Sequence, residues 1–127
     1  MERLNLRYQD ACRALATLES ALREPFSIIV RDAAIQRFEY RFEIFWKFLK
    51  DYLKEKNGTA VNSPKACFRE LPGAGVCSEN EVVSLLAMTD CRNETSHTYN
   101  EAVAQNIYSQ LEGFRELMSK ILNKSRP

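Results

Sequence analysis

The sequence predicts an all-α domain, an antiparallel up-and-down bundle of four main helices plus a short one. Three observations carry this. Apolar residues recur in steps of three and four through four long segments. No stretch alternates in the manner of a half-buried strand. The 127 residues include only four Gly and four Pro, which argues against a turn-rich β fold. Residues 1–127 read as one domain, long enough for a proper core, with no internal repeat and no low-complexity stretch.

The first helix carries the stripe Leu4, Tyr8, Ala11, Leu15, Leu18 and Leu22, and Pro25 closes it. The second runs from about Ser27 to Lys56 on Ile35, Phe38, Phe42, Phe45, Leu49 and Tyr52. Trp46, Phe48 and Leu53 widen its apolar face, which suggests a core side and a partner side. Arg37, Arg41, Lys47, Lys50 and Lys54 fill the remaining arc. Asn57-Gly58 is a C-terminal stop. Ser63-Pro64, an N-cap followed by proline at the first helical position, starts a short helix that Leu71-Pro72-Gly73-Ala74-Gly75 ends. Ser78-Glu79-Asn80-Glu81 is a capping box ahead of Val82, Val83, Leu85, Leu86 and Met88. That helix reaches about Arg92. The hydroxyl-rich stretch to Asn100 weakens it. A last helix from about Glu101 carries Ala104, Ile107, Leu111, Phe114, Met118 and Ile121.

Composition excludes several classes. Hydrophobic residues at 45% and charged residues at 28% describe a globular chain rather than a disordered one. A formal net charge of +1 gives no global pull toward nucleic acid, so any such contact needs a local patch. The first residues have no apolar signal region, and no apolar run approaches a membrane span; a cytoplasmic protein without membrane contact is expected. Cys12, Cys67, Cys77 and Cys91 are scattered, and one histidine cannot complete a zinc set. They read as buried or free thiols, with a Cys67–Cys77 disulfide as the alternative. No metal and no cofactor is expected.

The chemistry-bearing element is Arg92-Asn93-Glu94-Thr95-Ser96-His97-Thr98-Tyr99, which contains the only histidine. Imidazole titrates near neutrality, and a fixed guanidinium can hold a phosphate. Together they supply proton transfer and anion stabilisation, the minimum for cutting RNA without a metal. On one straight helix Arg92 and His97 would point about 140° apart, at about 100° per residue. The pair works better if the helix ends near Thr95-Ser96 and the histidine folds back beside the arginine. Tyr99 would share the side of His97 if that stretch is extended. One imidazole does not readily serve as both base and acid. The chemistry therefore predicts a two-fold homodimer with the site at its seam. The plainer interpretation is that Arg92 caps a helix C-terminus and His97 is a surface or interface residue. Glu39 and Glu43, spaced i, i+4, read as solvated or paired with nearby cations. The aromatic cluster on the second helix reads as core and dimer interface rather than a base-stacking platform. The run Lys47, Lys50, Lys54 and Lys56 reads as a solvated face that could track a phosphate backbone.

Two stretches carry a family resemblance: Arg92-Asn93-x3-His97-x-Tyr99, and Ile35-Gln36-Arg37-Phe38-Glu39-Tyr40 with Phe42-Glu43 and Trp46-Lys47. On these the chain resembles the HEPN superfamily (higher eukaryotes and prokaryotes nucleotide-binding). Within it the chain looks like the small prokaryotic branch often labelled nucleotidyltransferase substrate-binding protein. The helix layout agrees over nearly the whole chain. The resemblance implies a dimeric helical bundle and a minimal nucleotidyltransferase as partner. In toxin–antitoxin members the HEPN protein is a metal-independent endoribonuclease whose Arg and His carry cleavage, which maps onto Arg92 and His97. Asn93 would assist by orienting the site. In some pairs the nucleotidyltransferase transfers AMP to the motif tyrosine, here Tyr99, and silences the toxin. The older label implies an alternative: a non-catalytic subunit that binds nucleotide or substrate for a two-component nucleotidyltransferase. A third possibility is a plain helical interaction protein.

Overall fold

Serine hydroxyls and one glycine decide where the helices begin and end. The computed structural model describes residues 2–127. It contains α1 (Glu2–Arg23), α2 (Ile28–Asn57), α3 (Pro64–Glu70), α4 (Glu79–Glu94) and α5 (Glu101–Lys124), with a 3₁₀ turn at Thr95–His97. There is no strand among the described residues. Ser27 Oγ accepts the Val30 N–H at 3.0 Å and opens α2. Ser63 does the same for α3, accepting from Ala66 at 3.2 Å. At α4 both halves of the capping box form: Ser78 Oγ accepts the Glu81 N–H at 3.1 Å, and Glu81 accepts the Ser78 N–H at 2.9 Å. Gly58 closes α2 in the left-handed conformation (φ 65°), which lets its N–H reach the Lys54 carbonyl at 3.1 Å.

Cross-helix contacts fix the directions. Arg37 and Arg41 of α2 reach Thr17 of α1, and Arg7 of α1 reaches Asp51 of α2, so α1 and α2 are antiparallel. Arg115 of α5 pairs with Glu19 of α1 at 3.0 Å. Phe38 of α2 stacks on Phe114 of α5, with centroids 5.7 Å apart. The first turns of α2 and α5 also meet, through Arg31 and Glu101. The long helices therefore alternate up and down, and the parallel pair α2–α5 forms the tight inner diagonal. The short α3 fills the gap between α2 and α4. It delivers the fully buried Cys67 and Phe68, and the Phe68 ring lies 6.1 Å from both Phe42 and Phe45.

The wide aromatic face of α2 is mostly core. Phe38, Phe42, Phe45, Trp46 and Phe48 are buried, while Tyr40 alone of that cluster stands in solvent at 57% exposure. All four cysteines are free thiols, so Cys67 and Cys77 are not joined. Burial pushes the Cys67 thiol up to about 12, and Cys77 and Cys91 to about 11. They sit as protonated apolar fillers. Among the described residues, no helix is long and apolar enough to cross a membrane.

Candidate functional site

The end of α4 is set by hydroxyls that compete for its carbonyls. Thr95 Oγ1 donates to the Arg92 carbonyl at 2.7 Å, Ser96 Oγ to that of Asn93 at 3.4 Å, and Thr98 Oγ1 to that of Thr95 at 3.3 Å. This bonding to the third residue back draws the chain into a tight 3₁₀ turn. The His97 carbonyl then accepts the Asn100 N–H at 3.1 Å. Asn100 Oδ1 caps α5, accepting from Ala102 at 2.9 Å and Val103 at 3.3 Å. The six residues between the two helices are thus fully committed to caps and turns.

This turn brings two of the expected residues together. Tyr99 Oη lies 3.4 Å from His97 Nδ1, with the rings 5.9 Å apart and inclined at 76°. Both side chains are exposed, Tyr99 at 83%. The backbone route differs from the extended one expected. Thr98 is helical (φ −72°, ψ −6°), and the phenol reaches the imidazole from a tight turn. With the phenol beside Nδ1, Nε2 is the ring nitrogen that makes no hydrogen bond among the described residues.

Arg92 makes its contacts with other residues. Its Nη1 donates to Thr95 Oγ1 at 3.3 Å, and its Nε lies 3.9 Å from Glu43 Oε2 on α2. That Nε is buried and makes no hydrogen bond. Glu43 is itself steadied by Trp46, whose Nε1 donates to Oε1 at 3.4 Å. No hydrogen bond joins Arg92 to His97, and α4 ends at Glu94, just ahead of Thr95, as the spacing required. Nη2 of Arg92 makes no hydrogen bond and remains available to an anion. Asn93 is exposed, and its side chain bonds to nothing among the described residues. No group of three or more His, Cys, Asp or Glu side chains that could hold a metal forms among them either.

Three residues that shape the site were not singled out for it by sequence. Thr95 is 4% exposed and ties the Arg92 guanidinium to its own backbone. Glu43, read only as half of a carboxylate pair, faces Arg92. Arg31 is 3% exposed; its guanidinium spans both oxygens of Glu101 (2.8 and 3.2 Å) and one of Asp32 (3.0 Å). Glu101 is the first residue of α5, so this latch fixes the turn immediately behind Tyr99. The hydrogen bonds from Arg31 hold the Glu101 carboxyl below the usual glutamate range. An open groove of about 400 Å³ runs beside Tyr99, lined by Asp32, Ile35, Gln36, Glu39 and Thr98. It is rich in hydrogen-bond acceptors and has an exposed ring at its edge.

Comparison with known proteins agrees with this architecture. The family model described as nucleotidyltransferase substrate binding protein like matches residues 6–126. A Haemophilus influenzae protein named "Probable ribonuclease HepT" is 31% identical over 144 aligned residues, covering 98% of this chain and 94% of its own. Among solved structures, a Thermus thermophilus protein superposes with a TM-score of 0.88 at 44% identity, over 92% of this chain and 99% of that one. A Haemophilus influenzae structure, described as the fold of a substrate binding domain of a nucleotidyltransferase, gives 0.68 at 23% identity over 99% and 98%. At that identity the second structural likeness speaks for the fold alone.

Proposed function

The chain belongs to the family described as nucleotidyltransferase substrate binding protein like, and from that premise we propose that it is a HEPN-type, metal-independent endoribonuclease. In this reading it is the toxin of a toxin–antitoxin pair with a minimal nucleotidyltransferase. The observation that carries the proposal is the exposed imidazole of His97 one turn beyond Arg92, with the Tyr99 phenol beside it at 3.4 Å as an accessible acceptor for AMP. The Haemophilus relative, named as a ribonuclease over nearly the whole chain, supports it.

In the proposed reaction the ribose 2′-oxygen attacks phosphorus and gives its proton to His97 Nε2. The bond from phosphorus to the 5′-oxygen breaks, and that oxygen takes a proton from a second imidazole. Arg92 holds the charge that builds on the phosphorane. The products are a 2′,3′-cyclic phosphate and a 5′-hydroxyl. A chain with one histidine needs a second copy for the second imidazole, so the active species is a two-fold dimer. Ile29 and Tyr40, exposed at 82% and 57%, share an α2 stripe with Gln36, which lines the groove beside Tyr99. These residues make a natural face for that pairing. The nucleotidyltransferase partner would place AMP on Tyr99. The added nucleotide would put bulk and negative charge against His97 and shut the site.

One observation favours the second reading, a binding subunit that presents nucleotide or substrate to the nucleotidyltransferase. Arg92 is already engaged with Glu43 and Thr95. RNA cleavage in EDTA separates the two. Wild-type protein should cut, and His97→Ala and Arg92→Ala should not, with helicity and oligomeric state unchanged. Cutting by either variant at the wild-type rate would overturn the catalytic assignment. No cutting by any of the three would leave the binding-subunit reading.

A further inference from the structure

A groove of about 580 Å³ opens between α1 and α2. Leu6, Ile44 and Phe48 form its floor, and Arg3, Arg13 and Lys47 stand at its rim. Leu6 is 57% exposed, a large apolar side chain left open among cations. Arg3 and Lys47 make no ion pair among the described residues. One carboxylate also lines the groove: Asp10 lies 4.0 Å from Arg13, with both side chains well exposed, against four lining cations. Arg7 alone is firmly paired, to Asp51 at 2.8 Å.

The placement of these cations costs the free protein stability. Arg3 and Arg7 are a like-charge i, i+4 pair, only partly offset by the contact of Arg7 with Asp51. Both sit in the first turns of α1, where the helix dipole disfavours positive charge and Glu2 is the only acid. An anionic occupant relieves both terms. An apolar floor between cationic rims is complementary to an amphipathic helix with an apolar stripe and acidic flanks. It is a poor match for a nucleic-acid strand. Phe48 is 1% exposed, and Tyr8 is half-buried with its ring 5.3 Å from that of Phe48, so no ring is presented for stacking.

We propose that the α1–α2 groove docks an acidic amphipathic helix of a partner protein. The partner's identity as the nucleotidyltransferase rests on the function proposed above; the groove's chemistry does not. Leu6 and Ile44 take the apolar stripe, while Arg3, Arg13 and Lys47 take the carboxylates on its two flanks.

The test is fluorescence anisotropy with a labelled synthetic peptide of about 14 residues, long enough to span the groove at 1.5 Å per residue. It carries Leu at helical spacing and Glu on both flanks. Wild-type protein should bind it. Leu6→Asp, and Arg3→Glu combined with Lys47→Glu, should each weaken binding by about tenfold or more. These positions are exposed, so circular dichroism should show unchanged helicity. His97→Ala should bind the peptide like wild type, which separates this site from the catalytic one. Absence of peptide binding overturns the proposal. So does binding that survives Leu6→Asp, or a single-stranded RNA of equal charge that displaces the peptide and is itself indifferent to Leu6→Asp. The last result would make the seam a phosphate track.

Discussion

Thr95→Val tests whether the turn after α4 positions Arg92 or merely ends a helix. The substitution swaps a hydroxyl for a methyl at a site 4% exposed. Two bonds are lost: the one donated to the Arg92 carbonyl at 2.7 Å and the one accepted from Arg92 Nη1 at 3.3 Å. The carbonyl is not orphaned, because the Thr95 backbone N–H still donates to it. The net loss for such a hydrogen bond is about 1 kcal/mol. Burying one more methyl returns up to about 0.8 kcal/mol. With two such bonds lost and at most one methyl's burial gained, stability should fall by about 1–2 kcal/mol, a melting shift of about 4–8 °C in a domain of this size. Activity should respond far more. Without Thr95 the guanidinium keeps only the 3.9 Å contact with Glu43. A displacement of about 1 Å from the phosphate costs about 100-fold in rate. Cleavage in EDTA and thermal denaturation are measured side by side, with Thr95→Ser, which keeps the hydroxyl, as the rescue. Wild-type cleavage by Thr95→Val would refute the positioning role. A fall of more than about 15 °C would refute the energetic reasoning, since it implies a structural role about twice what the two bonds account for.

Three further outcomes follow from the geometry. Phe68→Ala empties the space that α3 fills between α2 and α4 and should cost about 3–5 kcal/mol in urea unfolding; a loss under about 1 kcal/mol would mean that α3 is not a core element. The Ser78 N–H, with Lys120 and Lys124 nearby, holds the Glu81 carboxyl below its ordinary value. Its contribution is then fully present above the ordinary glutamate pKa of about 4.3 and lost as pH falls through the lower folded value. Glu81→Gln should flatten that acid limb of melting temperature against pH, and an unchanged limb would place the acid sensitivity elsewhere. Tyr99→Phe should cleave RNA at close to the wild-type rate yet gain no mass from ATP and the nucleotidyltransferase, whereas AMP found on another residue would displace Tyr99 as the acceptor.

Helix boundaries were readable because their causes lie within four residues of the boundary. Ser27, Gly58, Ser63 and the Ser78–Glu81 box each act on their own backbone, and each stands where the sequence puts it. The core was readable for a similar reason, since the apolar stripes follow the helical period. What the sequence hides is the partner of each polar group. Arg31 and Glu101 meet across 70 positions, with no local pattern to announce it. Glu43 and Lys47 are one turn apart on α2, yet one faces Arg92 and the other the α1 seam. The turn at Thr95–Asn100 was half legible. Its hydroxyls predicted a weakened helix, but the competition among three of them for backbone carbonyls decides that the chain coils tightly instead of extending. The relation of His97 to Tyr99 depends on that outcome.

A net charge of +1 conceals how unevenly α2 distributes its charges. Asp32, Glu39 and Glu43 lie on the flank toward Tyr99 and Arg92. Arg37 and Arg41 lie on the other, clamped over Thr17 of α1. A phosphate approaching His97 on one chain therefore passes two carboxylates of the groove, and Arg92 is the cation that answers them. Glu43 already takes part of that cation's field. On the proposed reading a single chain is a poor RNA site for electrostatic as well as proton-transfer reasons. A second copy meets the proton-transfer deficit with its imidazole, and meets the electrostatic one only where the two-fold axis brings both guanidiniums, and not both carboxylate grooves, to the same phosphate. The acceptors of Asp32, Gln36 and Glu39 then have a use that repulsion of phosphate does not contradict. They suit the N–H donors on the edges of a base whose backbone is held at the arginines.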